Sequence, residues 1–312
     1  MQAERDGGRT RGRRIGLVAL AIGLAMAAGA PVRMTARAGH WVVVHTWPPV
    51  PSSVTWGQPS AVAVDQQGDL IILQRGTPPL LEFAPDGRMI RAWGAGFFKN
   101  PHGMKIDPRG NIWVTDSVRN IIVEYSPAGK RLRVIGTPDE AGTGPDHFGG
   151  VTDLAFAPNG DFYVADGYQN ARIMKFDGHG RFLFQWGRPG SGPGEFHLPH
   201  AIAVDSHGRV YVADRENSRI QVFTGAGKYI TQWHGVKPFG LAMTKDDKLW
   251  VADTQANRMV EFNLAGKVVD AFTPSDPKPG TLMGPHMVAI GPDGALYLAE
   301  TRRMTVREFR KE

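Results

Sequence analysis

Cysteine is absent from this chain of 312 residues. Its absence excludes disulfides, thiolate metal ligands and a thiol nucleophile. Long apolar runs are scarce as well. The run from Ile15 to Ala30 has 16 residues, fewer than the roughly 20 that span a bilayer comfortably. Because cysteine is absent, any metal or catalytic chemistry must rest on other side chains.

Most of the chain lacks an excess of either charge. The net charge is +6, but residues 1–38 contain seven arginines and only two acidic residues. The remaining residues contain 29 basic and 28 acidic side chains. A nucleic-acid-binding protein needs a concentrated basic face, so the sequence gives little support for nucleic acid as a partner.

The N-terminal residues are typical of an export signal. The segment "RTRGRR" precedes the apolar run, and "ARA" at residues 36–38 is a plausible cleavage site. The pair Arg13-Arg14 resembles a twin-arginine signal. We predict that residues 1–38 are a signal peptide or an N-terminal anchor, and that the protein is periplasmic or extracellular. Membrane association is expected only if this segment is not cleaved. Export is compatible with the lack of cysteine.

The rest of the chain repeats one unit six times. The units begin near Gln58, Asn100, Gly150, Leu198, Val236 and Gly284. A spacing of about 40–50 residues is typical of propeller blades. Each unit contains alternating segments such as "AIAVD" and "VYVAD", separated by glycine-containing turns such as "SHGR". This pattern predicts four short antiparallel strands per unit, which is one blade.

The last unit ends after its third strand. The segment Trp41–Pro49, "WVVVHTWPP", resembles the strands that end the other blades. If this N-terminal strand completes the last blade, the ring closes without an open sheet edge. We therefore predict that residues 39–312 form a single all-β domain, a six-bladed β-propeller, and we expect a monomer.

Histidine occupies one position of the repeat in alternate units. The six equivalent residues are Ser60, His102, Thr152, His200, Phe239 and His286. In a six-bladed ring, the three histidines would lie about 120° apart at the start of the innermost strands. Three converging imidazoles suit a zinc ion, or another divalent metal, that keeps one ligand position open. The alternative is a set of histidines that hydrogen-bond to channel water.

Further polar residues are predicted at the same mouth of the ring. The second strands end at Gln74, Asp116, Asp166, Asp214, Asp253 and Glu300. The acidic members of this set are expected to bond backbone amides in the following turn. Arg75 and Arg215 come directly after two of these positions, and Tyr168 follows a third in "DGYQN". Together with the histidines, they predict a site for a small anion that carries a metal-binding oxygen.

These repeats resemble the NHL family of β-propellers, as in "VADRENSRIQVF" and "VADTQANRMVEF". The chain also resembles the peptidyl-α-hydroxyglycine α-amidating lyases, in "LQRG", "PHGMKIDPRGNIWVTD", "HFGGVTDLAFAPNGDFYVADGYQNARI" and "EFHLPHAIAVDSHGRVYVADRENSRIQVF". This resemblance implies that the three histidines hold zinc, that Tyr168 is the catalytic tyrosine, and that Arg75 and Arg215 are active-site arginines.

The resemblance also implies a reaction, the cleavage of a peptidyl- or N-acyl-α-hydroxyglycine into an amide and glyoxylate. Tyr168 would accept the hydroxyl proton, provided that nearby cations lower the pKa of a phenol from about 10. Arg75 would bind the substrate carboxylate, and Arg215 would add positive charge.

Two positions depart from the family, and a different function stays open. Met287 follows His286 where the family has an aspartate that helps to bind structural calcium, which puts Ca²⁺ in doubt. Gly284 stands where the family has methionine. The alternative function is a non-catalytic exported propeller that acts as a scaffold for a protein or carbohydrate, since propellers serve binding and catalysis alike.

Overall fold

The computed structural model describes residues 40–47, 49–273 and 284–312. These residues form 24 strands in six antiparallel sheets of four strands each. The predicted six-bladed β-propeller is confirmed. Within the described residues, no helix is long and apolar enough to cross a membrane. The predicted signal or anchor segment, residues 1–38, lies outside them.

Each blade is built from strands that are consecutive in the chain, except for the last. Blade I contains β2 (Pro59–Val64), β3 (Leu70–Gln74), β4 (Leu80–Phe83) and β5 (Met89–Trp93). Blade II contains β6 (Pro101–Ile106), β7 (Ile112–Asp116), β8 (Ile121–Tyr125) and β9 (Arg131–Ile135). Blade III contains β10 (Val151–Phe156), β11 (Phe162–Asp166), β12 (Arg172–Phe176) and β13 (Phe182–Trp186).

The second half of the ring follows the same order. Blade IV contains β14 (Pro199–Val204), β15 (Val210–Asp214), β16 (Arg219–Phe223) and β17 (Tyr229–His234). Blade V contains β18 (Pro238–Met243), β19 (Leu249–Asp253), β20 (Arg258–Phe262) and β21 (Val268–Phe272). Blade VI contains β22 (Pro285–Ile290), β23 (Leu296–Glu300), β24 (Thr305–Lys311) and the N-terminal β1 (Trp41–Trp47).

Strand β1 closes the ring as predicted. It pairs antiparallel with β24, from Trp41 opposite Lys311 to Trp47 opposite Val306. The backbone amide of Glu312 also donates to the carbonyl of His40 at 2.8 Å. The last blade is therefore made from both ends of the described chain.

The burial of each strand follows from its place in the blade. The second strands, such as "VYVAD" of β15, are buried at every residue because both of their faces pack against neighbouring blades. The fourth strands, such as "FLFQW" of β13, alternate between exposed and half-buried residues. Aliphatic and aromatic side chains between adjacent blades form the core.

The direction of the strands places the predicted site residues at one end of the channel. The first strand of each blade starts where the second strand ends, since Arg215 N donates to Leu198 O and Ser117 N to Asn100 O, both at 3.2 Å. We call this end the histidine mouth. The first strands end at the other side of the ring, which we call the opposite mouth.

Candidate functional site

The three predicted histidines converge on the channel axis. The ring centroids of His102, His200 and His286 lie 4.8, 5.0 and 5.0 Å apart. One ligand atom from each imidazole lies within 4.8 Å of the other two. All three side chains are buried. The structure therefore brings together a nearly equilateral triad that could hold a metal ion.

The intervening blades orient these histidines. Nδ1 of His102 donates to the carbonyl of Thr152 at 2.8 Å, and Nδ1 of His286 donates to that of Ser60 at 2.6 Å. Nδ1 of His200 donates to the carbonyl of Phe239 at 2.6 Å. Each acceptor is the equivalent residue of the next blade. Because Nδ1 carries the proton in each ring, Nε2 keeps a lone pair for a metal.

Burial and mutual repulsion keep the imidazoles neutral. Burial is the main cause that lowers the pKa of His102 and His200 well below 6.5, and neighbouring histidine and arginine charges lower it further. For His286, burial and the charges of Arg75 and Arg215 lower the pKa to about 4, against the opposing effect of the Ser60 carbonyl. Neutral imidazole is the form that binds metals.

One nitrogen of the triad lacks a protein partner. Nε2 of His200 is buried and has no hydrogen-bond partner among the described residues. A buried polar atom without a partner is costly unless an ion or water satisfies it. Three imidazole nitrogens with fixed tautomers fit a divalent metal of borderline softness such as zinc.

Tyr168 lies beside the triad, at the end of blade III's second strand. Its hydroxyl is 2.9 Å from Nε2 of His102, and its side chain is 41% exposed at the histidine mouth. Gly150 makes this placement possible. Its φ is +76°, and a Cβ there would lie 2.4 Å from Cβ of Tyr168. Only glycine tolerates both conditions.

Both predicted arginines face this group of residues. The guanidinium of Arg215 lies 5.9 Å from the centre of the Tyr168 ring. Arg75 is exposed at the mouth, but the surrounding walls remove enough solvent to lower its pKa, while the neighbouring Tyr168 and Asp116 raise it in part. Its Nη1 donates to Gln58. All six predicted site residues therefore lie at one mouth.

Two further residues lie at this mouth, and the sequence alone does not predict them as site residues. Phe239 forms a wall, with its ring 4.8 Å from the guanidinium of Arg215 and 5.1 Å from the ring of His200. Glu216 accepts from Nε of Arg215 at 2.8 Å and from Nζ of Lys237 at 2.7 Å. The sequence signal for the contact between Arg215 and Glu216 is the acidic residue directly after the arginine.

The acids at the ends of the second strands are structural, but they bond mainly a different segment from the one predicted. Asp166 and Asp214 accept from the amides of Gly149 and His197, which precede the first strand of the same blade, both at 2.7 Å. They also pair with arginines of the third strand. Asp116 does bond the following turn as well.

Met287 stands where the related lyases have an aspartate that helps to bind calcium, and its surroundings do not suit that ion. Met287 is 2% exposed and belongs to the apolar core. A thioether in an apolar environment is not the oxygen ligand that calcium prefers. At the equivalent position of blade III, the buried carboxylate of Asp153 is paired with Nζ of Lys105 at 3.1 Å.

The sequence has relatives among amidating enzymes and NHL proteins. The NHL repeat model matches residues 196–223. The chain is 36% identical over 198 residues to mouse peptidyl-glycine alpha-amidating monooxygenase, a match that covers 53% of this chain. It is 34% identical over 209 residues to peptidyl-alpha-hydroxyglycine alpha-amidating lyase 2 of Drosophila melanogaster, covering 57% of this chain. Human NHL repeat-containing protein 3 is 36% identical over 190 residues, covering 56% of this chain.

The chain covers only part of the length of each of these relatives. The chain spans 20% of the mouse protein, 50% of the fly lyase and 54% of the human protein. Among solved structures, a streptogramin B lyase is similar in fold, with a TM-score of 0.64 at 16% identity over 83% of this chain and 95% of that one. The chain is thus a six-bladed β-propeller with one match to the NHL repeat, at residues 196–223, and it is similar in sequence to an alpha-hydroxyglycine alpha-amidating lyase.

Proposed function

We propose that this protein is a metal-dependent carbon–nitrogen lyase that converts a peptidyl- or N-acyl-α-hydroxyglycine-like substrate into an amide and glyoxylate. The observation that carries the proposal is the position of the Tyr168 hydroxyl, 2.9 Å from Nε2 of His102 and therefore next to the atom that would bind the metal. It joins a potential base to a triad that could bind metal, at a mouth that also holds two arginines. The name of the similar fly protein, an alpha-hydroxyglycine alpha-amidating lyase, supports the same reaction class.

Tyr168 is the proposed proton acceptor. In its ionised form it takes the hydroxyl proton of the substrate, the carbon–oxygen bond becomes a carbonyl, and the electron pair of the carbon–nitrogen bond leaves with nitrogen. Nitrogen then receives a proton, so the reaction requires no oxidant or reductant. The guanidinium of Arg215 lies 5.9 Å from the centre of the phenol ring, so a cation lies beside the proposed proton acceptor.

The triad would hold the metal, with zinc as the proposed ion. A divalent metal bound there would supply Lewis acidity, which lowers the pKa of a hydroxyl group. His102, His200 and His286 would bind it through Nε2, because each Nδ1 is bonded to a backbone carbonyl.

The arginines are proposed to bind and orient the substrate carboxylate. Arg75 is exposed at the mouth, and its planar guanidinium matches a carboxylate with two parallel hydrogen bonds. Arg215 is held by Glu216 and by the ring of Phe239, so it offers a fixed positive charge. Export of the protein remains part of the proposal and rests on residues 1–38 alone.

The test combines metal analysis with an assay of glyoxylate release. The purified protein is loaded with zinc, its metal content is measured, and N-acetyl- and N-benzoyl-α-hydroxyglycine are supplied. One bound metal and stoichiometric amide and glyoxylate are expected. A protein that binds metal but releases no glyoxylate from either compound would contradict the lyase and favour a scaffold.

A further inference from the structure

We propose that the opposite mouth of the channel is a second binding site, which takes the alkyl or acyl chain of a small molecule. A cavity of about 960 Å³ lies there, lined by residues from the first strands of all six blades. Small-molecule pockets typically have about 300–1,000 Å³. The site is independent of the metal and of the proposed lyase reaction.

The last residue of every first strand is apolar and lines this cavity. These residues are half-buried, and each of them lines the cavity wall: Val64, Ile106, Phe156, Val204, Met243 and Ile290. The residues two positions earlier, such as Met104 and Ile202, are apolar and buried at its inner part. Apolar surface left in contact with water is unfavourable, and a continuous patch of it commonly marks a binding site.

Small side chains keep the cavity open. The residue before the last one is alanine in five blades, and these alanines line the wall: Ala63, Ala155, Ala203, Ala242 and Ala289. Blade II has Lys105 instead, whose ammonium is held by the buried Asp153. Protein interiors are otherwise close-packed, so five alanines in the wall of one cavity leave room that bulkier residues would fill.

The rim carries charges that largely neutralise one another. Asp107 contacts Arg109 at 3.1 Å, and Asp246 contacts Lys248 at 2.7 Å. Lys311 pairs with Asp270 at 2.9 Å. Because these pairs offer no dominant charge, recognition rests on the apolar interior. Six blades surround the cavity, so an occupant enters end-on, which suits a slender alkyl chain better than a folded protein surface.

The test is a chain-length series measured by calorimetry on chelator-treated protein. Hexanoate, octanoate and decanoate are compared with the alcohols of the same lengths. Each added methylene is expected to tighten Kd by up to about fourfold, with a negative heat-capacity change. Alcohols and carboxylates of equal length should differ by less than tenfold. Affinity that does not rise with chain length, or that depends on the carboxylate alone, would overturn the proposal.

Two matched variants locate the binding. Val204→Lys places a charge in the cavity and should weaken binding of the uncharged alcohol decanol at least tenfold. Leu183→Lys makes the same kind of change at an exposed aliphatic residue of β13 and should leave binding unchanged. Circular dichroism checks folding, and Ala242→Leu, which narrows the cavity without a charge, replaces Val204→Lys if that variant does not fold. Equal effects of the cavity and β13 variants would refute the assignment.

Discussion

The two ends of the channel are built by the same six strands, yet they differ in chemistry. At the histidine mouth, the equivalent residues differ from blade to blade, and three histidines alternate with Ser60, Thr152 and Phe239. At the opposite mouth, all six strands end in an apolar residue. Uniform positions build a symmetric apolar cavity, whereas departures from the repeat assemble a polar site with a different residue on each side. The predictions below test this division.

The largest effect is expected at the triad. His200→Ala removes one of three nitrogen ligands, so it should lose most of the bound metal and reduce turnover by roughly 10³-fold or more. Metal analysis and the glyoxylate assay measure both. His197→Ala, at an exposed histidine three residues earlier, is the matched control and should change neither. Full metal occupancy in His200→Ala would remove the triad as the metal centre.

Tyr168→Phe should have a smaller effect than His200→Ala. It separates the two proposed functions of this mouth, metal binding and proton transfer. The variant keeps all three imidazoles and should bind metal normally, but turnover should fall by roughly 10²–10⁴-fold because the proton acceptor is lost. Tyr229→Phe, on the outer strand β17, controls for the loss of a hydroxyl. Turnover retained by the Tyr168 variant would exclude the proposed base.

The stability of the metal-free protein should depend on pH through the buried histidines. The pKa of His286 is about 4 in the folded state and about 6.5 when exposed. The unfolded chain therefore binds the proton first, and stability is lost as pH falls from 6.5 towards 4. The expected loss is on the order of 3 kcal/mol for this residue.

Urea unfolding of chelator-treated protein at a series of pH values measures this effect. His286→Gln should reduce the pH dependence in that window, to which His102 and His200 still contribute, whereas His207→Gln, at an exposed histidine of the opposite mouth, should leave it unchanged. An unchanged slope in the His286 variant would show that another group dominates.

The smallest effect is expected at the opposite mouth. Val204→Ala removes two methyl groups from a half-buried position and should destabilise the protein by roughly 1 kcal/mol. Metal content and turnover should stay at the level of the unchanged protein. Urea unfolding and the glyoxylate assay together test this, and a large drop in turnover would show that the two ends are coupled.

Much of the fold could be predicted from the sequence because the unit recurs six times. The alternating segments gave the strands, and the missing fourth strand of the last unit pointed to Trp41–Pro49, where β1 is found. The convergence of the histidines followed from their equivalent positions in alternate blades. Their spacing along the chain carries no such information without the ring.

The remaining features depend on contacts between blades. The carbonyls that orient the histidines are backbone groups, so the identity of Ser60, Thr152 or Phe239 does not reveal them. The sequence does not reveal the amide partner of Asp166, since Gly149 lies 17 residues earlier in the chain and meets it only in the folded blade. The sequence does not show that Glu216 joins Arg215 to Lys237, because Lys237 lies 21 residues later, at the start of the next blade.

The pairing of β1 with β24 also constrains how the protein is made. During synthesis from the N-terminus, blades I to V can assemble in order as they leave the ribosome, but β1 has no partner until β24 emerges. Until β24 has been made, β1 is an unpaired strand and its blade is an incomplete sheet, the kind of edge that invites mispairing with other chains. Since blades I to V lie between the two strands in the chain, this pairing is a contact of very long range and is expected to form late in folding.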